Sequence, residues 1–115
     1  MQQQALVDLV HLARYTGGDE ALNAEVLRLF DEQASQLVAD LRAILDSHDA
    51  KSWKHVNHTL KGAARGIGAF ALADACAFAE PIDPADESHA EPALKAVTQH
   101  ADGVRNFIRG YLATR

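Results

Sequence analysis

Apolar positions in this chain recur at spacings of three and four, the period of helices with one buried side. A short first helix is expected from Ala5 to about Tyr15, with Leu6, Leu9, Val10 and Ala13 along one side. Gly17-Gly18 ends it, and Asp19 supplies an N-cap for the next. The second helix is long, from about Glu20 to Asp46, its apolar side running through Leu22, Val26, Leu29, Phe30, Leu37, Leu41 and Leu45. Asp46-Ser47-His48-Asp49 reads as a turn that caps a third helix, about Ala50 to Arg65, with Trp53, Val56, Leu60, Ala63 and then Ile67 facing inward. Gly66 and Gly68 mark its end. A fourth helix, about Ala69 to Glu80, carries Leu72, Ala75, Cys76 and Ala79 on its core side and stops before Pro81 and Pro84. The last helix begins near Ser88, with Glu91 at the capping-box spacing and a stripe of Leu94, Val97, Ala101, Val104, Ile108 and Leu112. No strand pattern competes. The pattern predicts an all-α fold over residues 1–115 as a single domain: an antiparallel four-helix bundle with a short additional N-terminal helix across one end.

Composition narrows the possible roles. Hydrophobic residues make up 48% and charged residues 23%, as in an ordinary globular chain, and three prolines among 115 residues leave long helices uninterrupted. A formal net charge of -5 argues against nucleic acid as a partner. Cys76 is the lone cysteine, which excludes an internal disulfide and favours a reducing compartment. It reads as a small core residue, with no base at hand to make it a nucleophile. Met1-Gln2-Gln3-Gln4 lacks the basic start of a secretory leader, and no apolar run is long enough for a membrane. The expectation is a cytoplasmic protein.

Candidate chemistry gathers on the third helix. His58 stands two residues from Val56 and two from Leu60, a rotation of roughly 200° that turns it away from the core. Lys51, Lys54, His58, Lys61 and Arg65 follow one another at spacings of three or four, and Ala50 to Gly68 contains no Asp or Glu. A purely cationic stripe on an acidic protein invites an anion. On charge alone, a solvated face paired with acids on neighbouring helices reads equally well. Gly62 tips the balance, because a mid-helix glycine costs about 1 kcal/mol relative to alanine. On the histidine's side it keeps open a space that a partner can enter.

The run His58-Thr59-Leu60-Lys61-Gly62-Ala63-Ala64-Arg65-Gly66-Ile67-Gly68-Ala69 resembles the signature of histidine-containing phosphotransfer (HPt) domains, in which His-x-Leu-Lys-Gly precedes small residues and an apolar-Gly pair. The Gly17-Gly18-Asp19 turn and the segment from Leu72 to Glu80 extend the resemblance over nearly the whole chain. It implies that His58 is the phospho-acceptor, that Lys61 stabilises the phosphoryl charge, and that Gly62 makes room for it. It further implies that Glu80 occupies the position of a polar side chain holding the second ring nitrogen. Glu80 as a solvated acid at a helix end is the competing reading. The partners implied are a response-regulator receiver domain and a (hybrid) histidine kinase. The Mg²⁺ needed for transfer is expected on the receiver, with no cofactor bound by this chain.

Residues equidistant from a turn at Gly68 meet across a helical hairpin, which places Phe78 at the level of His58. Phe78 then offers an apolar docking surface, with burial under the following loop as the alternative; for Phe70 burial is the better reading. Lys54, Asn57, Lys61, Arg65 and Phe78 are the expected partner-binding residues of a monomer. A metal site at His55 and His58 lacks a third ligand and has Lys51, Lys54 and Lys61 against it. A kinase dimerisation domain resembles its relatives in placing an acid after the histidine, where this chain has Thr59, and no glycine-rich nucleotide loop is present. The expectation is therefore a phosphoryl carrier without its own ATP-binding or kinase domain. The alternative is an adaptor bundle that binds a kinase or receiver independently of phosphorylation.

Overall fold

Three aspartates set where the first three helices begin. Asp8, Asp19 and Asp49 have extended backbones, and their side chains accept the backbone N–H of His11, Leu22 and Ser52 at 3.0, 3.0 and 3.1 Å. Each such cap is worth about 1 kcal/mol. The computed structural model describes residues 6–114, with helices α1 (Leu9–Thr16), α2 (Glu20–Ser47), α3 (Ala50–Gly66), α4 (Phe70–Ala79) and α5 (Glu87–Ala113). The expected helix start at Ala5, and Met1 to Gln4 before it, lie outside the described residues. No helix among the described residues is long and apolar enough to cross a membrane.

Helices α2 to α5 form an antiparallel four-helix bundle. Each packs on its neighbour in the chain, and α5 returns to α2 to close the ring. Leu27, Leu41, Trp53, Leu60, Leu72, Leu94 and Ile108 are buried at its centre. The stripe expected on α5 is buried from Leu94 to Ile108, with Leu112 half-buried at its end.

Three local expectations change. On α1 the buried residues are Leu12 and Thr16, joined by Val7 just before the helix, while Leu6, Leu9 and Val10 are exposed. The Asp8 cap sets the phase: Val7 and Leu12 then occupy the two positions of a hydrophobic staple. On α2, Leu22 and Leu29 share the helical period with the core yet remain 44% and 54% exposed. At α5 the N-cap is Asp86, and the Ser88–Glu91 capping box does not form. Ser88 donates instead to Asp86, and Glu91 pairs with Arg42 on α2 at 2.6 Å.

The turn from α3 to α4 fixes the short helix. Gly68 adopts φ +78°, and its carbonyl accepts the Asp8 N–H at 3.1 Å, fastening the start of α1 to this turn. A Cβ at position 68 would stand 2.8 Å from the Asp8 carbonyl oxygen and 2.9 Å from its nitrogen. Gly68→Ala is therefore expected to cost about 2 kcal/mol or more, from the left-handed backbone and the clash together. A lowered urea midpoint with an intact helical far-ultraviolet spectrum would show it.

Candidate functional site

The packing of α3 on α4 builds the site. Trp53 is fully buried, and its indole N–H donates to the Ala79 carbonyl at 2.9 Å. This bond holds the last turn of α4 against the first half of α3. Glu80 caps that turn, its own N–H bonded to the Cys76 carbonyl, and Pro81 follows it. The side chain of Glu80 is thereby aimed at α3, one turn and more beyond Trp53.

His58 projects outward from α3 with 68% of its side chain exposed. Its Nδ1 lies 3.1 Å from Glu80 Oε1, and Lys61 Nζ lies 3.0 Å from the same oxygen. A carboxylate only accepts, so Nδ1 is the donor in this contact and Nε2 is the nitrogen that faces outward. Nε2 makes no hydrogen bond among the described residues. Lys61 and Glu80 are tucked in, at 15% and 18% side-chain exposure. The Lys61 hydrogen bond holds the Glu80 carboxyl below the usual carboxylate range, opposed by partial burial and assisted by His58. Glu80 is thus an anion at neutral pH, engaged by two side chains rather than free in solvent.

The other expected residues fall in different places. Lys54 and Arg65 are exposed on α3, and Phe78 is 71% exposed on α4. Phe70 is half-buried and meets the His11 ring edge-on, with centroids 5.1 Å apart. Asn57 is a correction. It is fully buried between Trp53, Leu60 and Ala64 on the core side, where its amide donates to the Trp53 carbonyl at 3.1 Å. It offers a partner no surface. Its polar side chain suggested exposure, but its position on the wheel, four residues from Trp53, placed it inside.

Two surface features flank His58. Lys51, Lys54 and His55 line a shallow hollow with it on the N-terminal side. Towards the other end, an apolar groove of about 460 Å³ runs between α1, α2 and α3, lined among others by Tyr15, Leu22, Val26, Leu29, Ala63 and Gly66. The sequence pattern missed this groove because Leu22 and Leu29 share the period of true core residues. Gly62 lies between His58 and the groove, and a Cβ built on it meets nothing within 4 Å. Cys76 is buried behind the site, and burial pushes its thiol up to about 12, so it stays protonated. Among the described residues no group of three or more His, Cys, Asp or Glu is placed to hold a metal ion.

The family model described as the Hpt domain matches residues 25–107, from early α2 to late α5. The chain belongs to the Hpt domain family. The Hpt match includes His58, Lys61, Gly62 and Glu80, and leaves α1 outside. A solved Hpt structure, histidine-containing phosphotransfer protein B (HptB) from Pseudomonas aeruginosa PAO1, is similar with a TM-score of 0.81. The match covers 98% of this chain and 99% of that one at 20% sequence identity, so the likeness is one of fold. No curated protein matches the chain by sequence.

Open space at Gly62 separates two demands on the Hpt helix. In the free chain Gly62→Ala is expected to add about 0.5–1 kcal/mol of stability, since alanine favours helix and nothing obstructs its methyl group. A raised urea midpoint would show that no intramolecular contact requires glycine there.

Proposed function

We propose that this chain is a phosphoryl carrier of a two-component phosphorelay. His58 accepts the group on Nε2 from a receiver-domain aspartate, or from a (hybrid) histidine kinase, and yields it to a receiver aspartate. The observation that carries this reading is the pairing of Nδ1 with Glu80 on an otherwise exposed imidazole, which leaves Nε2 as the nucleophile. Membership of the Hpt family supports it.

In acceptance, the Nε2 lone pair attacks phosphorus in line with the departing aspartate oxygen, and the Nδ1 proton stays in place. Imidazole suits both directions, being a nucleophile when neutral and a good leaving group while Nδ1 remains protonated. Lys61 lies one turn beyond His58, and its flexible stem can carry the ammonium from Glu80 towards the phosphoryl oxygens. Gly62 leaves room for the partner. Lys54, Arg65 and Phe78, with the apolar groove beside Gly66, form the surface on which a receiver docks. The Mg²⁺ that transfer uses belongs to the receiver's acids, because Glu80, the carboxylate at His58, is already shared by two donors. One copy suffices, since a single chain supplies every residue of the site. On this reading the chain works in the cytoplasm and receives its phosphoryl group from a partner.

Incubation with a phosphorylated receiver and Mg²⁺ is expected to move label onto the wild-type chain in an acid-labile, alkali-stable form. His58→Gln should take none while keeping its helical spectrum; label that persists on the variant would refute the assignment. Lys61→Ala is expected to slow transfer about tenfold or more with receiver affinity largely kept. Unchanged transfer kinetics would remove Lys61 from the chemistry.

A further inference from the structure

The hollow on the N-terminal side of His58 holds cations that no acid of the chain claims. Lys51, Lys54, His55 and His58 line it, and all four are exposed. Elsewhere Arg28, Arg42 and Arg105 meet carboxylates at 3.0, 2.6 and 2.7 Å, and His48 meets one at 3.1 Å. Neither Lys51 nor Lys54 forms a salt bridge among the described residues, although the chain carries 16 acidic residues against 11 Lys and Arg. The acids within reach of this stretch are engaged already. Asp49 accepts both the N–H and the hydroxyl of Ser52. On the α2 side, Asp40 accepts from Gln36 and lines a neighbouring hollow with Lys51 and His55.

Size and direction narrow what such a hollow takes. It encloses about 270 Å³, less than the roughly 300–1,000 Å³ of sites that bury drug-sized ligands, which suits a small ion. Helical side chains lean towards the N-terminus of their helix, and this sets the His58 ring over the turn that carries Lys54 and His55. Glu80 engages the ring at Nδ1, and the outward nitrogen is Nε2. A dianion held by the two ammonium groups would lie beside that nitrogen.

We propose, resting on the reading of His58 as the carrier, that this hollow binds the phosphoryl group of a small acyl phosphate, and that such a donor charges His58 with no receiver present. The aspartyl phosphate of a receiver is itself an acyl phosphate, so the reacting bond is the same. A receiver sets a metal ion against the phosphoryl oxygens; with a small donor, Lys51 and Lys54 supply the positive charge instead. The Nε2 lone pair forms the P–N bond while the P–O bond to the acyl group breaks. The electron pair of that bond leaves with the departing carboxylate, and the Nδ1 proton stays in place. Atoms and charge balance with no further reactant.

The test incubates the full chain with acetyl phosphate and a chelator, with no receiver, and follows acid-labile label on His58. Charging is expected to saturate with donor concentration, and to fall about tenfold when Lys51→Gln and Lys54→Gln are combined. Both lysines are exposed, so this variant should keep the wild-type urea midpoint. Lys95→Gln, which removes a charge from α5, a helix packed on α2 and α4, is expected to leave the rate unchanged. Charging that rises linearly with donor, that the double variant leaves unchanged, or that Lys95→Gln slows equally would overturn the proposal. Label from a phosphorylated receiver but none from acetyl phosphate would also overturn it, and leave His58 a carrier. No label from either donor would overturn the carrier reading and this proposal with it.

Discussion

Oε1 of Glu80 receives two side chains of α3, Nδ1 of His58 and Nζ of Lys61, and the arrangement of the site follows from that shared oxygen. A single carboxylate oxygen thereby engages both the histidine and the neighbouring lysine. For this to work, the end of α4 must sit at one level of α3 and no other. The buried Trp53 indole secures that level through the Ala79 carbonyl, one residue before Glu80. At the opposite end of α4, Gly68 makes the turn and joins it to the start of α1. The short helix is therefore anchored at both ends, and the bundle core behind it supplies the rigidity.

The rest of α3 is arranged around access. Gly62 and Gly66 are exposed along α3, and cations lie on the surface around His58 although the chain as a whole carries -5. On the proposed reading, a local cationic face on an acidic protein would favour encounter with an anionic partner in the right orientation. The apolar groove beside Gly66 would add desolvated contact area to such an encounter, which charge alone would not provide.

Much of this was legible from the sequence. The 3.6-residue period located α2 to α5 to within a few residues, because their apolar stripes are long and their breaks carry Gly, Pro or Asp. His58 was found by its phase against Val56 and Leu60, and Glu80 by resemblance to a family pattern. Periodicity says that a residue shares a face, but not how wide the buried strip is. Leu22 and Leu29 therefore passed for core, and Asn57 for surface, since the strip on α2 was narrower than drawn and that on α3 extended round to the amide. The first helix was misphased for a related reason: with few residues, one cap at Asp8 decides which side faces inward. The ionic link from Lys61 to Glu80 joins residues nineteen apart in sequence through tertiary packing, and no local pattern announces it.

On the carrier reading, Nδ1 of His58 is occupied and Nε2 is the reacting atom. Identifying the nitrogen that carries the phosphoryl group tests this most directly, by long-range ¹H–¹⁵N and ³¹P correlation NMR on the labelled, phosphorylated chain. Phosphorus coupling to Nε2, with a proton retained on Nδ1, is the expected result. Phosphorus on Nδ1, or on any residue other than His58, would contradict it.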